Sequence, residues 1–148
     1  METPNYTPSG SPVVQPLSPQ DEKTWAMLAH LSTLLNLVTG FLGLLAAIII
    51  YFVFRDRSKY VAYQSLQSFL MQLLGWVVAG TVVGAVWAIT GVLSAIIVGL
   101  CLIPFAILFS FIPLATIVYG IIGGIKCNNG EDFRYWLIGD WVRSTYRS

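Results

Sequence analysis

The sequence has two long stretches that lack formally charged side chains. No Asp, Glu, Lys or Arg occurs in residues 24–54 or in residues 60–125. Charged residues make up 10% of the chain, against roughly 25% in an ordinary soluble domain. Uncharged apolar runs this long do not fit the core of a small soluble domain, whereas about 20 apolar residues cross one bilayer as a helix. These absences predict an all-α integral membrane protein.

Side chains that carry enzyme chemistry are also scarce. Every carboxylate lies outside the two uncharged stretches, and there is no Ser-His-acid set, phosphate-binding glycine loop or Cys-x-x-Cys pair. Cys101 and Cys127 belong to different depths of the apolar region, so neither a disulfide nor a zinc site with His30 is expected. The net charge of +1 gives no indication of nucleic-acid binding. We therefore predict a non-enzymatic protein without catalytic residues, metal or cofactor.

Proline and glycine divide the chain into three parts. Residues 1–19 hold five of the seven prolines, which predicts an extended, disordered tail; a docking segment for a partner's aromatic groove is the alternative. Residues 20–127 are the predicted membrane bundle of three to four helices. Asn128, Asn129 and Gly130 end its last helix, and residues 128–148 are predicted to lie in the membrane interface as an aromatic and basic tail.

Two of the helical stretches are too long for one straight crossing. Residues 25–54 would extend about 45 Å as a single helix, so a split into residues 21–37 and 41–55 is favoured over one tilted helix. The next helix is predicted from about 60 to 88. Pro104 and Pro113 interrupt the final stretch and place its main span near 104–126, with residues 92–102 either extending it or lying partly re-entrant.

Positive charge is concentrated in two places. Arg55, Arg57 and Lys59 form one short turn, and Lys126 and Arg134 follow the last apolar run. By the positive-inside rule both regions face the cytoplasm, so two crossings separate residue 60 from residue 125. The prediction is a multi-pass protein of the cytoplasmic membrane whose partners are lipid and other membrane proteins or a second copy, and not nucleic acid.

Polar residues within the apolar stretches are candidates for function. His30, Gln64, Gln67 and Gln72 can line a seam through the bundle, either as interhelical hydrogen bonds or as a path for a transported substrate. Axial ligation of a tetrapyrrole by His30 is a further alternative. Small residues that allow close helix contacts form a second set: Gly80, Gly84, Ala88, Gly120 and Gly124.

Three stretches of the chain resemble a known family. Residues 25–32, 54–69 and 130–135 are similar to bacterial membrane proteins grouped as domain of unknown function 4870, distant relatives of the channel-forming Tic subunit of the chloroplast inner-envelope translocon. The resemblance implies a bundle of three or four membrane helices with no catalytic residue. It also implies a role in moving polypeptides across a membrane. Two positions depart from the pattern, since Tyr63 stands where that family often has His and Trp136 where it commonly has Pro.

The residues and the resemblance together give two functional hypotheses. The first is a structural or accessory subunit, or a self-assembling bundle, held together by its glycine faces. The alternative is a component of a transport or translocation channel that uses the polar seam. Flux through liposomes separates the two hypotheses.

Overall fold

The computed structural model describes residues 15–146, and this part of the chain consists of helices, turns and short extended segments without a strand. The predicted all-α class is confirmed. The predicted proline-rich tail lies outside the described residues except for its last five positions. There, Gln15 to Ser18 are non-helical and Pro19 begins the first helix.

The first element is a helical hairpin. Helix α1 (Pro19–Leu31) continues through a 3₁₀ turn (Ser32–Leu34) into α2 (Leu35–Thr39), and α3 (Leu42–Phe54) forms the second arm. Gly40 has a φ of 82°, a left-handed conformation that glycine adopts without strain, and it ends α2. The predicted split of this element is therefore present, and it lies at Gly40 and Phe41.

Contacts at Gly43 hold the two arms of the hairpin together. The Asn36 side-chain oxygen accepts a hydrogen bond from the Gly43 N–H at 2.8 Å. The Ser32 hydroxyl donates to the Gly43 carbonyl at 2.9 Å. A side chain at Gly43 would meet the Asn36 side-chain oxygen at 2.7 Å, so this close approach requires glycine.

Helix α4 (Lys59–Ser94) is the central element. Its 36 residues correspond to about 54 Å, and it continues beyond the end predicted near residue 88. Ser58 caps its N-terminus by accepting from the Val61 N–H at 3.1 Å. Helix α4 contacts α1 and α3 along with each of the helices that follow it.

The return stretch is broken into short pieces. A 3₁₀ turn (Val98–Leu102) leads into α5 (Ile103–Phe109), and α6 (Ile112–Asn128) follows after Ser110 and Phe111. The predicted main span near 104–126 lies within the stretch Val98–Asn128, which is long and apolar enough to cross a membrane. Both prolines occupy the first turn of a helix, where the missing N–H costs least, so each begins a helix and does not kink one. Of the residues 92–102 predicted to extend this span or to lie partly re-entrant, 92–94 belong to α4, whereas 98–102 form the 3₁₀ turn that extends the last stretch.

The distribution of side chains is the reverse of that in a soluble protein. Fully buried side chains include His30, Gln64 and Gln67, whereas Val38 is 88% exposed. Two helical stretches, Lys59–Ser94 and Val98–Asn128, are long and apolar enough to cross a membrane. In the most apolar 18 residues of each stretch, only 11% and 6%, respectively, is buried inside the protein. Their apolar side chains thus face outward.

The charged segments of the described chain meet at one end of the bundle. The Ser58 hydroxyl at the α3–α4 turn donates to Glu22 of α1 at 2.5 Å, and Lys126 at the end of α6 pairs with Glu131 at 3.1 Å. The C-terminal segment, residues 131–146, includes the short helix α7 (Gly139–Thr145) and packs at this end.

The place of the C-terminal segment in the membrane interface stays a prediction, and part of the segment is packed into the core. Trp136 and Trp141 are exposed, but Phe133 and Tyr135 are buried and belong to the core. Tyr135 enters the core because its N–H and hydroxyl both find partners there.

Candidate functional site

Three segments distant in sequence meet at His30. This side chain is 0% exposed and is carried by α1. Its Nε2 lies 2.9 Å from the side-chain oxygen of Gln64 on α4. Its Nδ1 lies 3.0 Å from the hydroxyl of Tyr135 in the C-terminal segment, 105 positions away in the chain. His30 therefore joins the first helix, the central helix and the C-terminal segment.

The hydrogen bonds define the protonation of His30. The Gln64 amide nitrogen donates to the Phe133 carbonyl at 3.1 Å, so the Gln64 oxygen faces the imidazole. That oxygen can only accept, which places a proton on Nε2 and leaves Nδ1 to accept from the Tyr135 hydroxyl. Burial raises the pKa of Tyr135 above its usual range and keeps it a donor. Both nitrogens of a neutral imidazole are thus engaged, and axial ligation of a tetrapyrrole would require one of these bonds to break.

Gln72 forms a second polar cluster farther along α4. Its amide nitrogen donates to the hydroxyls of Ser32 and Ser68, each at 3.1 Å, and its oxygen accepts from the Asn36 amide at 2.8 Å. The Ser68 hydroxyl in turn donates to the Ala29 carbonyl at 2.7 Å. These bonds join α4 to the first arm of the hairpin.

Gln67 has a different environment from the other two glutamines. Its oxygen accepts from the Tyr135 N–H at 3.2 Å, while its buried amide nitrogen has no partner within residues 15–146. The four predicted seam residues are therefore all buried, with His30, Gln64 and Gln67 around Tyr135 and Gln72 in the neighbouring cluster. Apart from the bond of Gln72 with Ser68 within α4, the hydrogen bonds of both clusters run between chain segments.

Asp132 anchors the C-terminal segment at the charged end. It accepts a hydrogen bond from the Tyr63 hydroxyl and forms an ion pair with Arg143. Arg134 pairs with Asp140 at 3.2 Å. The sequence prediction treated Arg134 as an orientation residue and did not name Tyr135 or Asp132 as site residues. The signal for both was the stretch of residues 130–135, which was one of the three informative motifs.

The basic residues of the α3–α4 turn lie at the same end of the bundle. The Arg55 guanidinium is 5.5 Å from the centre of the Phe52 ring, and that of Arg57 is 5.7 Å from the centre of the Phe54 ring. Arg55 also pairs with its neighbour Asp56 at 3.6 Å. The exposed Lys59 begins α4 at this end.

The two glycine faces differ in what they contact. An added Cβ would lie 2.6 Å from Thr33 Cγ2 at Gly120 and 2.9 Å from Leu31 Cγ at Gly124, so these glycines allow α6 to approach the first arm. At Gly80 and Gly84 an added Cβ would meet nothing within 4 Å in the described chain. Ala88 is exposed in the same way. Close contacts of Gly80, Gly84 and Ala88 with another chain stay a prediction.

Helices with outward apolar faces and a buried polar site define a small helical protein with two stretches suited to crossing a membrane. A comparison with protein families identifies it further. The chain belongs to the magnetosome magnetite crystal formation protein family (MamF/MmsF), whose family model matches residues 21–142. No curated protein and no solved structure matches the chain. The family is one of small membrane proteins, so membrane localisation follows from membership.

This membership corrects the family predicted from the sequence. The chain matches the magnetosome family, and it is assigned neither to domain of unknown function 4870 nor to the relatives of the chloroplast Tic subunit. The prediction was wrong because it rested on three short stretches. The remaining apolar residues, which face lipid, are largely interchangeable and carry little family information. The translocation hypothesis loses the support that it took from that resemblance.

Proposed function

We propose that this chain is a non-enzymatic accessory protein of the membrane that encloses a growing magnetite crystal. The observation that carries the proposal is the family match, which covers both candidate spans and every residue of the His30 site. From that match we infer that this chain shares the family's role in magnetosome crystal formation.

The proposed membrane placement follows from the charged end. Helix α4 and residues 98–128 cross the bilayer, and the charged end faces the cytoplasm by the positive-inside rule. Both ends of the α1–α3 hairpin lie at this end. Its tip at Gly40 packs near Trp76, about 26 Å along α4 from Lys59. We infer from this that the hairpin enters from the cytoplasmic side and returns to it, with residue 15 on that side.

The polar contacts support an accessory role. His30, Gln64 and Gln72 are hydrogen-bonded between segments, so they stabilise one arrangement of the helices. The C-terminal segment is held to the bundle by the ion pair of Glu131 with Lys126 of α6 and by the hydrogen bond of Asp132 with the Tyr63 hydroxyl of α4. The ion pairs of Arg134 with Asp140 and of Arg143 with Asp132 join residues within the segment. A transported substrate would need these bonds to open. The geometry thus favours a rigid cytoplasmic surface on which membrane partners or further copies can assemble.

The test uses a magnetosome-forming host in which the gene encoding this chain has been deleted. We expect altered crystal size or shape, measured by electron microscopy, and recovery when the chain is returned. The Tyr135→Phe variant, which loosens the C-terminal segment, should restore crystals less well than Trp141→Phe, which changes an exposed ring of the same segment. Crystals that stay unchanged after deletion, in a host without another family member, would contradict the proposal.

A further inference from the structure

A pocket of about 520 Å³ lies between α2, α4 and α6. Its polar side includes Thr33, Asn36 and Gln72, and its apolar side includes Trp76, Gly80 and Gly84. This volume falls within the range of small-molecule sites, about 300–1,000 Å³. We propose that the pocket binds an uncharged lipid whose carbonyl group accepts a hydrogen bond from Thr33 and whose hydrocarbon part lies along Gly80 and Gly84.

The Thr33 hydroxyl is the observation that points to a ligand. Thr33 is 1% exposed, and its Oγ1 has no hydrogen-bond partner in the part of the chain that the structure describes. Other threonine hydroxyls of these helices, such as those of Thr81 and Thr90, donate to the carbonyl four positions earlier. Since leaving a buried hydroxyl unpaired is unfavourable, the exception at Thr33 needs an explanation.

The reason lies in the Ala29 carbonyl, which stands four positions before Thr33. That oxygen accepts from Ser68 Oγ at 2.7 Å, and it also lies 2.8 Å from Ser32 Oγ, whose single proton it shares with the Gly43 carbonyl. Two hydroxyls thus already lie at the two lone pairs of this carbonyl oxygen. The Thr33 hydroxyl is therefore a buried donor without an acceptor on a residue that lines the pocket, and the proposed ligand carbonyl supplies the missing acceptor.

The apolar side of the pocket has room for a chain. An added Cβ at Gly80 or Gly84 would meet nothing within 4 Å. Trp76 and Leu114 supply apolar walls. These features fit a hydrocarbon tail, which in a membrane reaches the pocket from the surrounding lipid.

Charge and depth select the class of lipid. The residues that line the pocket are uncharged, and Gln72 lies about 20 Å along α4 from Lys59, so the polar side is far from the charged end. The phosphate of a bilayer phospholipid stays at the interface, whereas an uncharged carbonyl-bearing head can lie at this depth. This step rests on the membrane placement proposed above, and it favours a lipid of the quinone type over a phospholipid.

The first experiment measures binding to the purified full-length protein by native mass spectrometry. The probes are decylubiquinone, which has ring carbonyls, and decylbenzene, which has none. We expect decylubiquinone to bind one to one and about fivefold more tightly than decylbenzene, the ratio for one net hydrogen bond. Equal binding of the two probes, or preferential binding of phosphatidylglycerol, would overturn the proposal.

Variants locate the site. Gly80→Leu and Gly84→Leu place a side chain in the pocket and should weaken decylubiquinone binding at least about tenfold, because the space of the tail is filled. Gly91→Leu is the matched control, since Gly91 lies on the same helix, also has nothing within 4 Å, and does not line the pocket. Equal binding by all three variants would refute the location.

Thr33→Val tests the hydrogen bond separately from the fold. It should weaken decylubiquinone binding about fivefold, leave decylbenzene binding unchanged, and keep or raise the melting temperature because an unpaired hydroxyl is removed. Unchanged decylubiquinone binding would overturn the role of Thr33. If Gly80→Leu instead dissociated a homo-oligomer without affecting lipid binding, the occupant would be a second copy and the proposal would fail.

These outcomes do not depend on the crystal-formation assay. Loss of lipid binding in Gly84→Leu with normal magnetite crystals would leave the lipid site standing, and it would separate that site from the proposed function. Failure of the deletion strain to show a crystal phenotype would contradict the proposed function alone.

Discussion

Replacing Tyr135 by Phe tests whether the buried histidine holds the C-terminal segment in place. The substitution removes only the hydroxyl that donates to His30 Nδ1 at 3.0 Å. The ring can remain in the core, but the imidazole nitrogen, on a side chain that is 0% exposed, is left without a donor. Leaving one buried acceptor unpaired costs about 1–3 kcal/mol. The equilibrium between docked and released C-terminal segment should therefore shift about 5- to 150-fold toward release.

Limited trypsin digestion measures that shift. Cleavage after Arg134 requires the segment to leave the bundle, and the rate follows the population of the released form when opening and closing are fast. We expect Tyr135→Phe to be cut about 5- to 150-fold faster than the wild type. Trp141→Phe is the control, because Trp141 is 66% exposed and should leave the rate unchanged. Cleavage of Tyr135→Phe at the wild-type rate would refute the reasoning.

A double-mutant cycle assigns the effect to the pair. His30→Leu removes the acceptor and also leaves the Gln64 oxygen without its donor. If Tyr135 and His30 act through one hydrogen bond, the double variant should be less destabilised than the sum of the two single variants. Additive effects would show that the two side chains act independently.

Three further predictions concern hydrogen bonding, packing and capping, and each is checked by thermal unfolding of wild type and variant in the same detergent. Gln64→Leu should cost about 2–4 kcal/mol because it leaves the His30 N–H and a backbone carbonyl unpaired. Gln67→Leu should change stability by less than about 1 kcal/mol, because loss of the acceptor of the Tyr135 N–H is offset by removal of an unpaired amide nitrogen; equal effects would contradict this. Gly120→Val should destabilise by about 1–3 kcal/mol through contact with Thr33 in the first arm of the hairpin, and a neutral result would refute the close approach. Ser58→Ala should cost about 2–4 kcal/mol through the lost cap of α4 and the lost hydrogen bond to Glu22; an unchanged melting temperature would contradict it.

The helices and their polar residues could be predicted from the sequence because both signals are local. Uncharged length predicted the long helices, and Gly40 and Gly43 predicted the break in the first element. The two glycine faces show where this reasoning stops. Gly80 and Gly84 have the same spacing as Gly120 and Gly124, yet within residues 15–146 only the second pair contacts another helix. Spacing defines a smooth face, and it does not identify the partner.

The burial of Tyr135 could not be predicted for a related reason. Alternating aromatic and charged residues are typical both of an interfacial segment and of a segment that places every second ring in a core. The deciding contact joins positions 105 residues apart, which no local pattern reports. The three stretches singled out from the sequence, residues 25–32, 54–69 and 130–135, nevertheless meet at His30, Gln64 and Tyr135.

Purified magnetosomes provide the most direct test of the proposed function. The protein should remain in the membrane around the crystals after a carbonate wash. With the native cysteines replaced, an impermeant thiol reagent should label Arg57→Cys from outside intact magnetosomes, because the charged end faces the cytoplasm. A protein found only in the soluble fraction or in the bulk cytoplasmic membrane would contradict the account.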